Sequence, residues 1–123
     1  MEYLDSSFVA MSIGTPIDRE SGDSYIISLK DVYTKKFNAS EASAMEYATN
    51  IVRIHGKRLK NKNINLIALA YHLKIKGKTD PAKLREALNE KVYRNFLQSQ
   101  SITLVPDDKY IISLYRYIRF IMS

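Results

Sequence analysis

The sequence predicts an all-α protein: a compact bundle of four to five helices, residues 24–123, behind a loose acidic N-terminal arm, residues 1–23. Three observations carry this expectation. Apolar residues recur at three- and four-residue spacing through most of the chain. Helix-starting and helix-stopping residues, notably Asn63, Gly77 and the pair Asp80-Pro81, fall between the periodic segments. The 123 residues, of ordinary apolar and charged content, are enough for one domain with its own core.

The arm is set apart by charge and by turn-forming residues. It holds Glu2, Asp5, Asp18, Glu20 and Asp23 against the single base Arg19, with Gly14, Pro16 and Gly22 among small polar residues. Asp23 or Ser24 is a cap for a first helix in which Tyr25, Leu29, Val32, Tyr33 and Phe37 keep helical spacing. Tyr25, Ile27 and Leu29 also alternate as in a strand, but the stripe continues to Phe37. Asn38-Ala-Ser-Glu41 has the form of a capping box ahead of a helix from about 39 to 59, with Ala44, Ala48, Ile51, Val52, His55 and Leu59 on one face. Gly56 weakens the end of that helix by about 1 kcal/mol relative to Ala, so it can stop there.

Ile64 to Ile75 is apolar around most of its circumference, which marks a buried helix and the candidate for the central core. Asn63 or Asn61 starts it and Gly77 ends it. Asp80 followed by Pro81 is the strongest helix start in the chain. From Pro81 to Gln98 the residues Leu84, Leu88, Val92 and Phe96 recur every fourth position, predicting one amphipathic helix. The pair Ile64–Lys76 and Pro81–Gln98 has a suitable helix-turn-helix linker, but a second helix of that length does not suit the motif. Ile102 to Val105 reads as a short extended piece, and Pro106-Asp107-Asp108 opens a last helix with almost no polar face. The pentapeptide Tyr-Ile-Ile-Ser-Leu occurs at Tyr25–Leu29 and again at Tyr110–Leu114, in contexts that otherwise diverge.

Several chemistries lack the residues they need. With no cysteine, the chain has no thiolate metal site, disulfide or cysteine nucleophile. The two histidines, His55 and His72, share no metal-ligand spacing, and no serine sits in a G-x-S-x-G turn. Neither Gly56-Lys57-Arg58 nor Gly77-Lys78-Thr79 is preceded by the glycine of a phosphate-binding loop. The expectation is a protein without enzymatic activity, metal or cofactor.

The charge distribution points elsewhere. Between Tyr47 and Thr79 lie Arg53, Lys57, Arg58, Lys60, Lys62, Lys74, Lys76 and Lys78 with no acidic residue, although the whole chain nets only +6. Two clusters, Arg53–Lys62 and Lys74–Lys78, flank the predicted core helix, whose twelve residues at 1.5 Å each set them about 18 Å apart. Such a patch attracts polyanions, and a lysine-rich one suits phosphate contact more than base reading. The leading expectation is a basic helical module that contacts nucleic acid phosphates, DNA or RNA, without strong sequence preference. The alternative is a structural or assembly protein docking on other subunits, or on copies of itself, through its arm and the aromatic residues Tyr110, Tyr115, Tyr117 and Phe120 of the last helix. The richness in Ile, Lys, Asn and Tyr, whose codons are AT-rich, fits a viral source for such a protein. Glu2 and Asp5 stand where a signal peptide carries positive charge, and no apolar run is long enough for a membrane span, so the expected location is intracellular or in a virion.

Overall fold

The computed structural model describes residues 17–102 and 107–123. Most of the expected arm, and all but Ile102 of the extended piece expected up to Val105, lie outside the described residues. Among the described residues the chain forms six α-helices, one 3₁₀ turn and no strand: α1 (Arg19–Lys36), α2 (Glu41–His55), the 3₁₀ turn (Gly56–Leu59), α3 (Ile64–Ile75), α4 (Pro81–Ala87), α5 (Lys91–Ser99) and α6 (Asp108–Met122). The all-α class is as expected, with six helices in place of four to five.

α1 begins earlier than expected. The carboxylate of Asp18, not Asp23 or Ser24, accepts the Ser21 N–H. Tertiary packing favours this start, because Gly22 is buried and brings α1 close to Ile17 and Val52. Asn38 also has a different task from the one its spacing suggested. It adopts φ +56° just beyond α1, while Ser40 accepts the Ser43 N–H and caps α2. A left-handed residue ends the first helix, so the next helix must take its cap two residues later.

α3 is the central helix, with Ile67, Ala68, Leu69, Ala70 and Leu73 fully buried. Burying each large apolar side chain contributes roughly 1.5–3 kcal/mol relative to leaving it in water. α1 pairs with α2 and leans on one side of α3, and α6 packs along another side together with α4. Asn63 caps α3 through the Leu66 N–H. At the other end Gly77, at φ +74°, lets the Lys78 N–H reach the Leu73 carbonyl and its own N–H reach that of Lys74. That closing turn satisfies carbonyls that helix ends otherwise leave bare.

The hydroxyl of Tyr33 in α1 donates to the Ala68 carbonyl of α3 at 2.7 Å, in a fully buried site. Burial pushes the phenol well above its ordinary pKa. Tyr33→Phe is expected to cost about 1 kcal/mol, the usual net worth of one buried hydrogen bond. Equilibrium urea unfolding checks it, since the ring itself stays in place.

The segment expected as a single helix from Pro81 to Gln98 is two. α4 stops at Ala87, Leu88 to Glu90 make a three-residue turn, and Glu90 is extended at ψ 149°. The buried residues explain the break. Leu84, Ala87 and Leu88 face inward before the turn, and Tyr93, Phe96 and Leu97 face inward after it, while Val92 is only half-buried. A straight helix with Leu84 and Leu88 inward would hold Val92 inward and turn Tyr93 about 100° away. Burying Tyr93 therefore requires a jump in phase. Its reward is an aromatic cluster in which Phe96 stacks on Phe37 at 4.6 Å, Phe37 stacks on His72 at 4.9 Å, and Tyr93 meets the His72 Nδ1 at 2.7 Å.

The last helix is more two-sided than its apolar run suggested. Ile111, Leu114, Ile118 and Ile121 are buried, while Lys109, Arg116 and Arg119 are exposed. No helix among the described residues is long and apolar enough to cross a membrane.

Candidate basic binding surface

The first basic cluster is organised around the ring of Phe120. Gly56, at φ +52°, ends α2 and folds the chain into the 3₁₀ turn, which throws Lys57, Arg58 and Lys60 outward while Leu59 plugs the core. The Arg58 guanidinium lies 4.8 Å from the Phe120 ring centroid and the Lys62 ammonium 5.2 Å from it. Arg58 also donates to the Ser123 hydroxyl at 2.8 Å and to the Phe120 carbonyl at 3.4 Å, so it holds the last turn of α6 from below. Cations belong at this end, where helix carbonyls leave negative partial charge.

Beneath these cations lies His55, 1% exposed, its ring stacked on Phe120 at 5.1 Å. Neither imidazole nitrogen has a hydrogen-bond partner among the described residues. Burial first, then the charges of Arg58 and Lys74, push its pKa down to about 4, so the ring is neutral near pH 7. Of the two charges, Arg58 has the larger effect on the imidazole and Lys74 the smaller. Lys74 stands 5.7 Å from the Tyr71 ring, and Tyr71 meets Tyr47 edge-on.

The second cluster divides. Lys74 stands by Tyr71. Lys76 instead stands 5.9 Å from the Tyr93 ring, on the side of α5, where its charge helps burial to lower the pKa of His72. Lys78 is half-buried at the closing turn of α3. Arg53 is exposed and touches Asn50, and Lys57 and Lys60 are exposed. Lys57 lies near enough to Asp18 to help lower that carboxyl's pKa, a smaller effect than the Ser21 N–H it accepts. Ion pairs among the described residues join Lys30 to Glu41, Lys35 to Asp31, Lys83 to Asp80 and Arg85 to Asp108, none of them involving the eight cations of residues 47–79.

One residue that the sequence reading left out, Arg119, belongs to this surface. An open cavity of about 500 Å³ is lined by Thr79, Tyr115, Ile118, Arg119, Met122 and Ser123. Through Ser123 it adjoins Arg58, and through Thr79 it adjoins Lys78 in the chain. The charge of Arg119 itself was the available signal, overshadowed by the apolar residues around it. Of the aromatic residues considered for docking, Tyr115 and Phe120 are half-buried here, Tyr117 accepts the Asn63 N–H at 2.9 Å, and Tyr110 is half-buried with its phenol pKa pushed up to about 12 by burial. No group of three His, Asp or Glu side chains that could hold a metal ion occurs among the described residues. No protein-family model, curated protein or solved structure matches this chain.

Proposed function

We propose that this protein is a non-enzymatic module that binds nucleic acid through the backbone phosphates. The observation that carries the reading is the gathering of Arg58 and Lys62 over the Phe120 ring, with Lys74 exposed beside Tyr71 on α3 and none of the three in an ion pair with a described carboxylate. Exposed Arg53, Lys57 and Lys60 widen the same basic end, and Arg119 extends it along α6. A phosphate backbone supplies repeated charges at a spacing that such a surface can engage, and lysine-rich contact of this kind is read through charge more than through sequence.

Binding to a random-sequence duplex, followed by fluorescence anisotropy from 50 to 200 mM salt, tests this. If about five phosphates are engaged, affinity is expected to fall a few hundredfold across that range, and Lys74→Ala should reduce the logarithmic salt slope by about one. A chain that ignores DNA and RNA at 50 mM salt overturns the reading. Assembly with other protein subunits is the second reading, favoured by Ile112 and Met122, 52% and 57% exposed on α6. Its signature is the opposite one: light scattering on a size-exclusion column should report an oligomer that depends on protein concentration and survives high salt.

A further inference from the structure

We propose that α5 is a reading helix that lies in the major groove of duplex DNA and sets Arg94, Asn95 and Gln98 against base edges. The inference rests on the nucleic-acid reading above and adds to it a partner, double-stranded DNA, and a means of sequence preference.

The break at Leu88–Glu90 is what makes the arrangement possible. The long helix expected from the sequence did not suit a helix-turn-helix, whereas α4, a three-residue turn and the nine-residue α5 have its proportions. Nine residues span about 13 Å, short enough to lie within one pass of the major groove. Behind α5 the support is rigid: Tyr93 and Phe96 are fully buried and Leu97 nearly so, locked into the Phe37–His72 cluster. A side chain that reads bases needs such a backing, because a loosely held helix loses the geometry on which discrimination depends.

The opposite face carries the chemistry. Lys91, Arg94, Asn95 and Gln98 are all exposed and fall at i, i+3, i+4 and i+7, one stripe of the helix. Arginine forks onto the O6 and N7 of guanine, while asparagine and glutamine pair with the N6 and N7 of adenine. No acidic residue lies within α5, and the nearest, Glu90, sits at its first-turn edge. Lys91, at the N-terminal end of the stripe, and Lys76, beside the Tyr93 ring, serve as phosphate contacts. Lys76, which stands apart from the Phe120 group, thereby acquires a role.

The test uses the full chain in a selection from a random-sequence duplex DNA library. Anisotropy titrations then compare the enriched duplex, a shuffled duplex of the same composition and the RNA duplex of the same sequence. The enriched duplex is expected to bind at least tenfold tighter than the shuffled one, and the RNA duplex no tighter than the shuffled DNA, because its major groove is too narrow to admit a helix. Asn95→Ala with Gln98→Ala should erase that preference while leaving affinity for shuffled DNA within about threefold, and circular-dichroism melting should show the fold intact. Lys91→Ala, which removes a phosphate contact beside the stripe, should weaken both duplexes alike and keep the preference. A chain that binds every duplex equally overturns the reading helix and leaves the phosphate-binding surface standing. So does a preference that the double substitution does not touch, or an RNA duplex bound as tightly as the enriched DNA. A chain that binds no nucleic acid at low salt overturns both.

Discussion

Acidification from pH 7 to pH 4 is expected to remove on the order of 3 kcal/mol of folding stability through His55 alone. An unfolded histidine takes up its proton near pH 6.5, whereas the folded chain resists until about pH 4. Between those values the unfolded state holds more protons, so stability is complete above pH 6.5 and is lost as pH falls toward 4. The cause is structural: protonation would place a buried charge beneath Arg58 and Lys74, with no carboxylate bonded to either ring nitrogen among the described residues. His72, whose pKa is also lowered by burial and by Lys76, adds to the loss in the same direction. Urea unfolding at a series of pH values, for the wild type and for His55→Leu, isolates the His55 share. The variant should lose the steeper part of the decline between pH 6.5 and 4. At pH 7 it should be no more than about 1 kcal/mol less stable, because the two unpaired nitrogens are gone. Equal pH slopes in the two proteins would show that His55 does not resist protonation.

Phe96→Ala is expected to be the most damaging single truncation on α5, at about 4 kcal/mol. The ring is fully buried and stacks on Phe37 at 4.6 Å, so its loss opens a cavity against a Phe37 ring that is itself held by His72 and Tyr93. Against a total stability of about 5–15 kcal/mol, that is a large part of the whole, and the melting temperature should fall by on the order of 15 °C. Arg94→Ala, two residues away on the exposed face, serves as the control and should stay within about 0.5 kcal/mol of the wild type. A loss under about 1 kcal/mol for Phe96→Ala would mean that the cluster does not anchor this helix.

How much of this could be seen in the sequence depended on whether a feature is decided locally. Asn63, Gly77 and Asp80-Pro81 act through their own backbone preferences, and each stands where the sequence placed it: a cap, a left-handed stop at φ +74°, and a helix start. The apolar circumference of α3 is likewise buried over its middle, from Ile67 to Leu73, although Ile75 at its end is 51% exposed. The misplaced boundaries are those decided by distant residues. Asp18 wins over Asp23 because Gly22 must meet Val52, thirty positions away. The break at Leu88 follows from a place for Tyr93 among Phe37 and His72, and the unbroken four-residue repeat of Leu84, Leu88, Val92 and Phe96 disguises it. For the basic surface, charge count was legible and direction was not. Lys74 and Lys76 are two residues apart, which on a helix is about 200°, and they face different neighbours.

α3 supplies one wall to the α1–α2 pair and another to the α4–α6 side, and Tyr33 is bonded to its backbone. Ownership of that helix is shared. Neither side retains a closed interior once the other has left, so heating should dismantle the protein in a single transition, without a half-folded survivor. A ligand gripping either end of α3 therefore lends its binding energy to the entire molecule.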